Sequence, residues 1–201
     1  MIIPTAIIAI LSWFGSGAQI IKLIKEYWEE RKSRIKLDAE YDIKGNPQQY
    51  IALTEHEMTG HGNVKKRVLR IQVFNDSDGV AENCKARFQL IENENKEFPE
   101  HELKYLRWAY EDKTELTIYA QGDESLNVVF CTDKKIHGMN TFVAHPDSIN
   151  EPNVPRKKDG FELDSHVFEV RINPMKGNGA KFKFRIDVNE DWQKTSMVKI
   201  R

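Results

Sequence analysis

The chain has 201 residues, with 30 basic and 31 acidic side chains, two cysteines and a net charge of −1. That length gives one domain of ordinary size with a real core, and two cysteines exclude a disulfide scaffold. Residues 1–36 carry six basic and three acidic residues, which leaves 24 basic and 28 acidic in 37–201; a domain that is acidic overall is a poor general nucleic-acid binder.

The stretch Ile2–Ile21 contains no charged residue. As a helix its first thirteen residues rise about 20 Å, and the whole run reaches about 30 Å, the thickness of a bilayer's hydrocarbon core. Pro4 is tolerated near a helix start, where its missing N–H would have had no partner. Lys22 can snorkel, and Tyr27 and Trp28 suit the headgroup level. From Ile20 the pattern turns amphipathic. Lys22–Glu26, Lys25–Glu29 and Glu30–Arg34 stand four apart, as on an exposed helix face. The expectation is a membrane anchor that continues as an amphipathic stalk to Ser33. Two other readings stay open. One is a cleaved signal peptide with Ser16-Gly17-Ala18 at the cleavage site, although no basic residue precedes the run. The other is a buried core helix. Lys22, Lys25, Arg31, Lys32, Arg34 and Lys36 follow the run, so the remainder is expected on the cytoplasmic side.

Beyond the stalk the periodicity is two. Ile35 to Ile43 alternates apolar and charged residues, and Gly45-Asn46-Pro47 then turns the chain. Gln49–Thr54 reads as a short strand and His56–Asn63 as a polar loop. Arg67–Phe74 and Cys84–Leu90 alternate around Asn75-Asp76-Ser77-Asp78-Gly79, which predicts a hairpin. Further strands are expected at Leu103–Trp108, Glu115–Tyr119, Ser125–Cys131 and Thr141–Ala144, with a turn at Gln121-Gly122-Asp123. His145–Gly160 reads as an irregular excursion. His166–Ile172 and Lys181–Val188, separated by Pro174 and Gly177-Asn178-Gly179, predict a second hairpin, and Met197–Ile200 closes the sheet. Many short strands with regular turns and no later helical pattern predict a mainly β domain, a β-sandwich over residues 34–201 after the anchor and stalk of 1–33. Its core is expected to hold Phe88, Leu90, Val128, Phe130, Phe168, Val170, Phe184 and Ile186. Strand parity points Cys84 inward with Ala86 and Phe88, and Cys131 to the opposite face with Asn127 and Val129, so the thiols are expected free.

The segment Leu69-Arg70-Ile71-Gln72-Val73-Phe74-Asn75, followed by Gly79-Val80-Ala81-Glu82-Asn83-Cys84, resembles the strand–turn–strand of prokaryotic immunoglobulin-like modules of the CARDB kind. The resemblance covers under a fifth of the domain. It implies an immunoglobulin-like sandwich with a binding or spacer role, and it transfers no catalytic residue. The antibody-type pattern differs: Trp108 follows Cys84 by 24 residues, and Val129 rather than tyrosine stands two before Cys131.

Motifs for chemistry are weak. His56 and His61 are five apart with Gly60 between them, whereas the zinc-protease pattern needs histidines four apart on one helix face. Asp76-Ser77-Asp78-Gly79 is similar to the start of a calcium loop, but Val80 stands where a third acid is needed. Both are read as polar loop or turn. Asn75-Asp76-Ser77 matches a glycosylation sequon. Lys65-Lys66-Arg67 and Arg156-Lys157-Lys158 are read as solvated turns. Tyr105, Trp108, Tyr110 and Trp192 are read as core rather than ligand platform. No catalytic, cofactor-binding or metal residue is assigned. The reading is a non-enzymatic binding or scaffold module that meets lipid through its N-terminal helix and a protein partner through its domain. The alternatives are an exported surface domain for adhesion or ligand capture, and a metal-dependent hydrolase using His56 and His61.

Overall fold

A computed structural model describes residues 21–27, 35–41, 50–92, 96–97, 104–109, 113–144, 149–150 and 154–200. The chain forms two units, Met1–Arg34 and Ile35–Arg201. In the first, residues 21–27 are helical and exposed, with the expected Lys22–Glu26 pair at 3.8 Å. Ile21, Leu23 and Tyr27 present apolar surface there. Among the described residues no helix is long and apolar enough to cross a membrane. The predicted anchor up to residue 20, and the stalk from 28 to 33, lie outside the described residues.

The second unit is mainly β, and its pairings are antiparallel. One sheet runs β1 (Leu37–Glu40), β3 (Gly62–Asn75), β9 (Asp123–Ile136), β10 (Met139–Val143) and β13 (Gly160–Phe161). β2 (Ile51–Met58) also pairs with β3, and β7 (Arg107–Trp108) with β9. The other runs β16 (Ser196–Ile200), β15 (Ala180–Asp187), β14 (Ser165–Asn173), β4 (Ala81–Glu92) and β5 (Lys96–Glu97). β6 (Lys104–Tyr105) and β8 (Glu115–Ile118) extend β4 on the same side. β11 (Ile149–Asn150) and β12 (Val154–Pro155) pair only with each other. Alternate residues of both sheets meet in one core, including Ile71, Val73, Leu126 and Val129 from the first and Phe88, Phe168, Val170 and Phe184 from the second. The rings of Phe88, Phe168 and Phe184 form a continuous stack, with centroids 4.8 and 5.6 Å apart. Seven of the eight predicted core residues are buried, and Leu90 packs half-buried against them.

The expected β14–β15 hairpin is present, with Phe168 opposite Phe184 and Val170 opposite Phe182. The other expected hairpin is not: β3 and β4 belong to different sheets, and residues 76–80 carry the chain between them. Alternation looks the same in a hairpin and in two facing sheets, because both need one buried side per strand. The predicted loop His56–Asn63 is a strand end and a tight turn, with His56 opposite Val64 and Met58 opposite Gly62. The predicted strand Leu103–Trp108 changes sheet at Leu106, which is fully buried. β9 runs five residues beyond Cys131 and turns at His137 and Gly138, both at positive φ (53° and 84°). Two such residues make the mirror-image turn whose twist suits a hairpin.

A bulge corrects the predicted faces of β9. Leu69 pairs with Val129 and Arg70 with Asn127, so Val128 is the extra residue. An extra residue exchanges the two faces of everything beyond it. Cys131 therefore joins the main core with Cys84. Phe130 instead packs on the outer face, in a second cluster with Met58, Val64, Ile136 and Phe142. The predicted excursion His145–Gly160 contributes Val154 to that cluster's cover. Both thiols are free and buried. The Trp108 indole donates to the Cys84 carbonyl at 3.1 Å while Trp108 pairs with Leu126, so Cys84 lies near the level of Leu126. Cys131 is farther along β9, roughly 15 Å at 3.3 Å per residue, which is beyond bridging reach.

The crossing at 76–80 is held by Asn75, which is 1% exposed. Its amide donates to the carbonyls of Gly79 (2.7 Å), Ile118 (3.1 Å) and Tyr119 (3.1 Å). Its side-chain oxygen accepts from Ser77 N–H (3.3 Å) and Ser77 hydroxyl (2.5 Å). A sequon asparagine so placed has no amide free for a glycan in the folded domain. Asn75→Ala strands buried carbonyls, and we expect a loss of about 2–3 kcal/mol in urea unfolding, against less than about 0.5 kcal/mol for the exposed Asp78→Ala.

Candidate functional site

Two crossings meet at one end of the domain. The first, 76–80, joins β3 to β4, and the second, 119–122, joins β8 to β9. Asn75 N–H donates to Gly122 O at 2.9 Å and Gln121 N–H to Ser77 O at 3.3 Å, so each crossing satisfies backbone groups of the other. Asp76 N–H donates to Lys36 O at 2.9 Å, which ties in the entry to β1. The β14–β15 loop is attached to the same end. β4 has a register shift between Ala81 and Cys84, with Asn83 at φ 49°. There the Glu82 carbonyl accepts from Met175 N–H at 2.8 Å, and the Asn83 amide reaches the Met175 sulfur at 3.5 Å.

This frame presents apolar side chains to solvent. Ala81 pairs with Ile118, and Val80 and Tyr119 are the residues next to that pair. Val80 is 42% exposed, Tyr119 70% and Met175 68%. Charged residues of the same segments are paired, Lys36 with Asp76 at 3.9 Å and Lys176 with Glu82 at 3.9 Å. An apolar centre with a polar rim on a hydrogen-bonded frame is the composition of a protein-binding patch. Sequence reading missed them because Val80, Tyr119 and Met175 lie in three separate turns, which the two crossings and the bulge hold at one end of the domain.

The opposite end is closed by the β15–β16 connection. Arg67, only 8% exposed, donates to Thr195 O at 2.8 Å and Trp192 O at 3.4 Å. Asn140 donates to Asn189 O at 3.0 Å and Glu190 O at 2.9 Å. Between this connection and β2 lies a cleft of about 410 Å³, lined by Leu53, Glu55, Lys65 and Trp192. A second, of about 480 Å³, lies beside the His137-Gly138 turn, with Lys135, Lys157 and Leu163 on its walls. The second also has His137 and Glu162 on its walls, with the His137 imidazole 3.1 Å from Pro155 O.

The motif residues are dispersed. His56 stands exposed on β2, and burial with the nearby Lys66 cation holds its pKa below the usual value. His61 is in the adjoining turn and donates its N–H to Met58 O at 2.9 Å. Among the described residues no three histidine, cysteine, aspartate or glutamate side chains group as a metal site. Asp76 pairs with Lys36, and the carbonyls of Gly79 and Ser77 accept from Asn75 and Gln121. Lys65-Lys66-Arg67 is strand rather than turn, with Arg67 as the buried latch. Arg156-Lys157-Lys158 does turn, and Arg156 binds the buried Asp159 carboxylate at 2.7 Å. Trp108 is core, Trp192 packs half-buried against the core, and Tyr105 lies on the outer face of the second sheet over Arg87. Tyr110 lies outside the described residues. No protein-family model, no curated protein and no solved structure matches this chain.

Burial pushes both thiols up to about 11 and the Tyr41 phenol up to about 12. Below pH 9 the thiols are protonated in folded and unfolded chains alike. Between pH 9 and 11 the unfolded thiols lose protons that the folded ones keep, so stability falls as pH rises. The slope approaches about 1.4 kcal/mol per pH unit for each thiol. We expect urea midpoints to drop across that window, and the drop to flatten in the double variant Cys84→Ala/Cys131→Ala. An equal slope in both proteins would refute the assignment to the thiols.

Proposed function

We propose that residues 35–201 form a non-enzymatic, immunoglobulin-like recognition module that binds a protein partner through the double-crossing end. The apolar run Ile2–Ile21 holds this module at a membrane, with the domain on the cytoplasmic side. The observation that carries the reading is the exposed group Val80, Tyr119 and Met175 on a frame locked by Asn75. Tyrosine and methionine are enriched at interface centres, where a large side chain loses little freedom on binding. The two-sheet architecture and the resemblance of the Leu69–Cys84 segment support the immunoglobulin-like reading. The charge-free run, the basic residues after it and the exposed apolar side chains of helix 21–27 support the membrane reading.

Photo-crosslinking in intact cells tests the partner. A crosslinker replacing Tyr119 is expected to capture one defined protein, and Met175→Asp should abolish that product. The same crosslinker at Lys194, at the far end, should not yield it. Products that are identical from both positions, or insensitive to Met175→Asp, would rule out this surface. In parallel, the full chain should stay in the membrane pellet through a carbonate wash and leave it in detergent.

A further inference from the structure

The outer face of the second sheet carries an arrangement of charge that the recognition end does not use. Ladder register fixes its geometry. Arg171 on β14 stands directly opposite Arg87 on β4 and Lys181 on β15. Lys183 and Arg185 follow on β15 with the same side-chain direction, and Lys85 follows Arg87 on β4. Six cations thus occupy one side of three adjacent strands, spaced about 4.8 Å between strands and about 7 Å along them. Three carboxylates answer them. Glu169 bonds Arg171, Glu115 bonds Lys85 at 2.8 Å, and Asp187 bonds Arg185 at 3.3 Å. With Glu97, opposite Ile91 in the same ladder, the face sums to +2 in a domain (37–201) that is net −4, and the rest of the domain carries −6.

Like charges directly opposite one another in a sheet are destabilising. The row Lys181–Arg171–Arg87 places three cations in line, and among the described residues only Arg171 of these is paired with a carboxylate. The Arg87 guanidinium instead lies over the Tyr105 ring at 4.9 Å and donates to its hydroxyl at 2.8 Å. Its Nε is buried with no hydrogen-bond partner among the described residues. Lys181, Lys183 and Arg185 are exposed. A row that opposes folding is a mark of a surface kept for a ligand.

We infer that this face docks on an anionic phospholipid surface. The face is a sheet, with exposed Val198 among its charges. A nucleic-acid single strand stacks its bases on free aromatic rings, and Tyr105, opposite Arg87 in the ladder, is covered by its guanidinium. A bilayer is flat and meets one face alone, so the acidic remainder stays in water. The basic residues Lys22 to Lys36 after the apolar run have the same sign and suit the same leaflet. The inference rests on the membrane reading above for its first point of attachment, and it adds a second, electrostatic one.

The test uses the full chain reconstituted into vesicles of phosphatidylcholine alone or with 30 mol% phosphatidylserine. The native thiols are buried, so a dye on Val198→Cys is site-selective, and energy transfer to a headgroup acceptor reports docking. Transfer should be high with phosphatidylserine at low salt, and should disappear at 0.5 M NaCl and in neutral vesicles. Each cation at an anionic surface changes binding about fivefold, so Lys181→Glu/Lys183→Glu should lower the docked-to-undocked ratio about 25-fold or more. Lys157→Glu/Lys158→Glu, at a basic turn elsewhere, should leave it unchanged. Equal transfer in both vesicle types, indifference to Lys181→Glu/Lys183→Glu, or preference for a 20-nucleotide single strand would overturn the inference. Flotation with neutral vesicles reads the anchor separately. A chain that fails to float there but docks on phosphatidylserine refutes the anchor and keeps the face.

Discussion

Two sheets that share an apolar core must pass the chain from one to the other, and each crossing takes backbone N–H and C=O groups out of their ladders beside that core. An unpaired buried carbonyl is costly. Asn75 meets this constraint at one end, because a single amide serves carbonyls of both crossings while its oxygen fixes Ser77. At the other end the same need is met by Arg67 and Asn140, whose donors hold the β15–β16 connection. The sheets are thus closed at both ends by buried polar side chains that answer main-chain acceptors. The exposed residues of the double-crossing end inherit their positions from this arrangement.

The β9 bulge is the second determinant. Without Val128 as the extra residue, Cys131 would lie outside and Phe130 inside. With it, β9 feeds the shared core through Leu126, Val129 and Cys131 and a second cluster through Phe130 and Ile136. One strand can therefore be buried on both sides over part of its length. The chain after β10 has an apolar surface to return to, which Val154 helps cover.

The two sheets differ on their outer faces. The first is partly apolar there and carries the second cluster. The second is charged, with six cations set by register on three strands. Overall composition hides this asymmetry, since acidic residues elsewhere outnumber the basic ones. A net charge describes the field at long range, whereas a docking surface is felt within about 10 Å at ordinary salt. The proposed recognition end and the proposed docking face draw on different residues of one frame.

Period-two alternation by itself determined that the domain is mainly β, where most strands run, which side of β4, β14 and β15 faces inward and that residues 165–187 form a hairpin. These are local properties, because the pleat alternates side chains whatever the partner strand is. Tertiary structure decided which strands share a sheet. The same alternating pattern made Arg67–Phe74 and Cys84–Leu90 look like a hairpin, yet the turn between them spans two sheets. It also decided the fate of Cys131, since one inserted residue reverses a face and carries no signature in composition. Val80, Tyr119 and Met175 are unremarkable as sequence, as are Lys181, Arg171 and Arg87. Their meaning arises from register and crossing, which bring together residues up to about ninety positions apart because buried backbone groups and apolar faces admit few pairings.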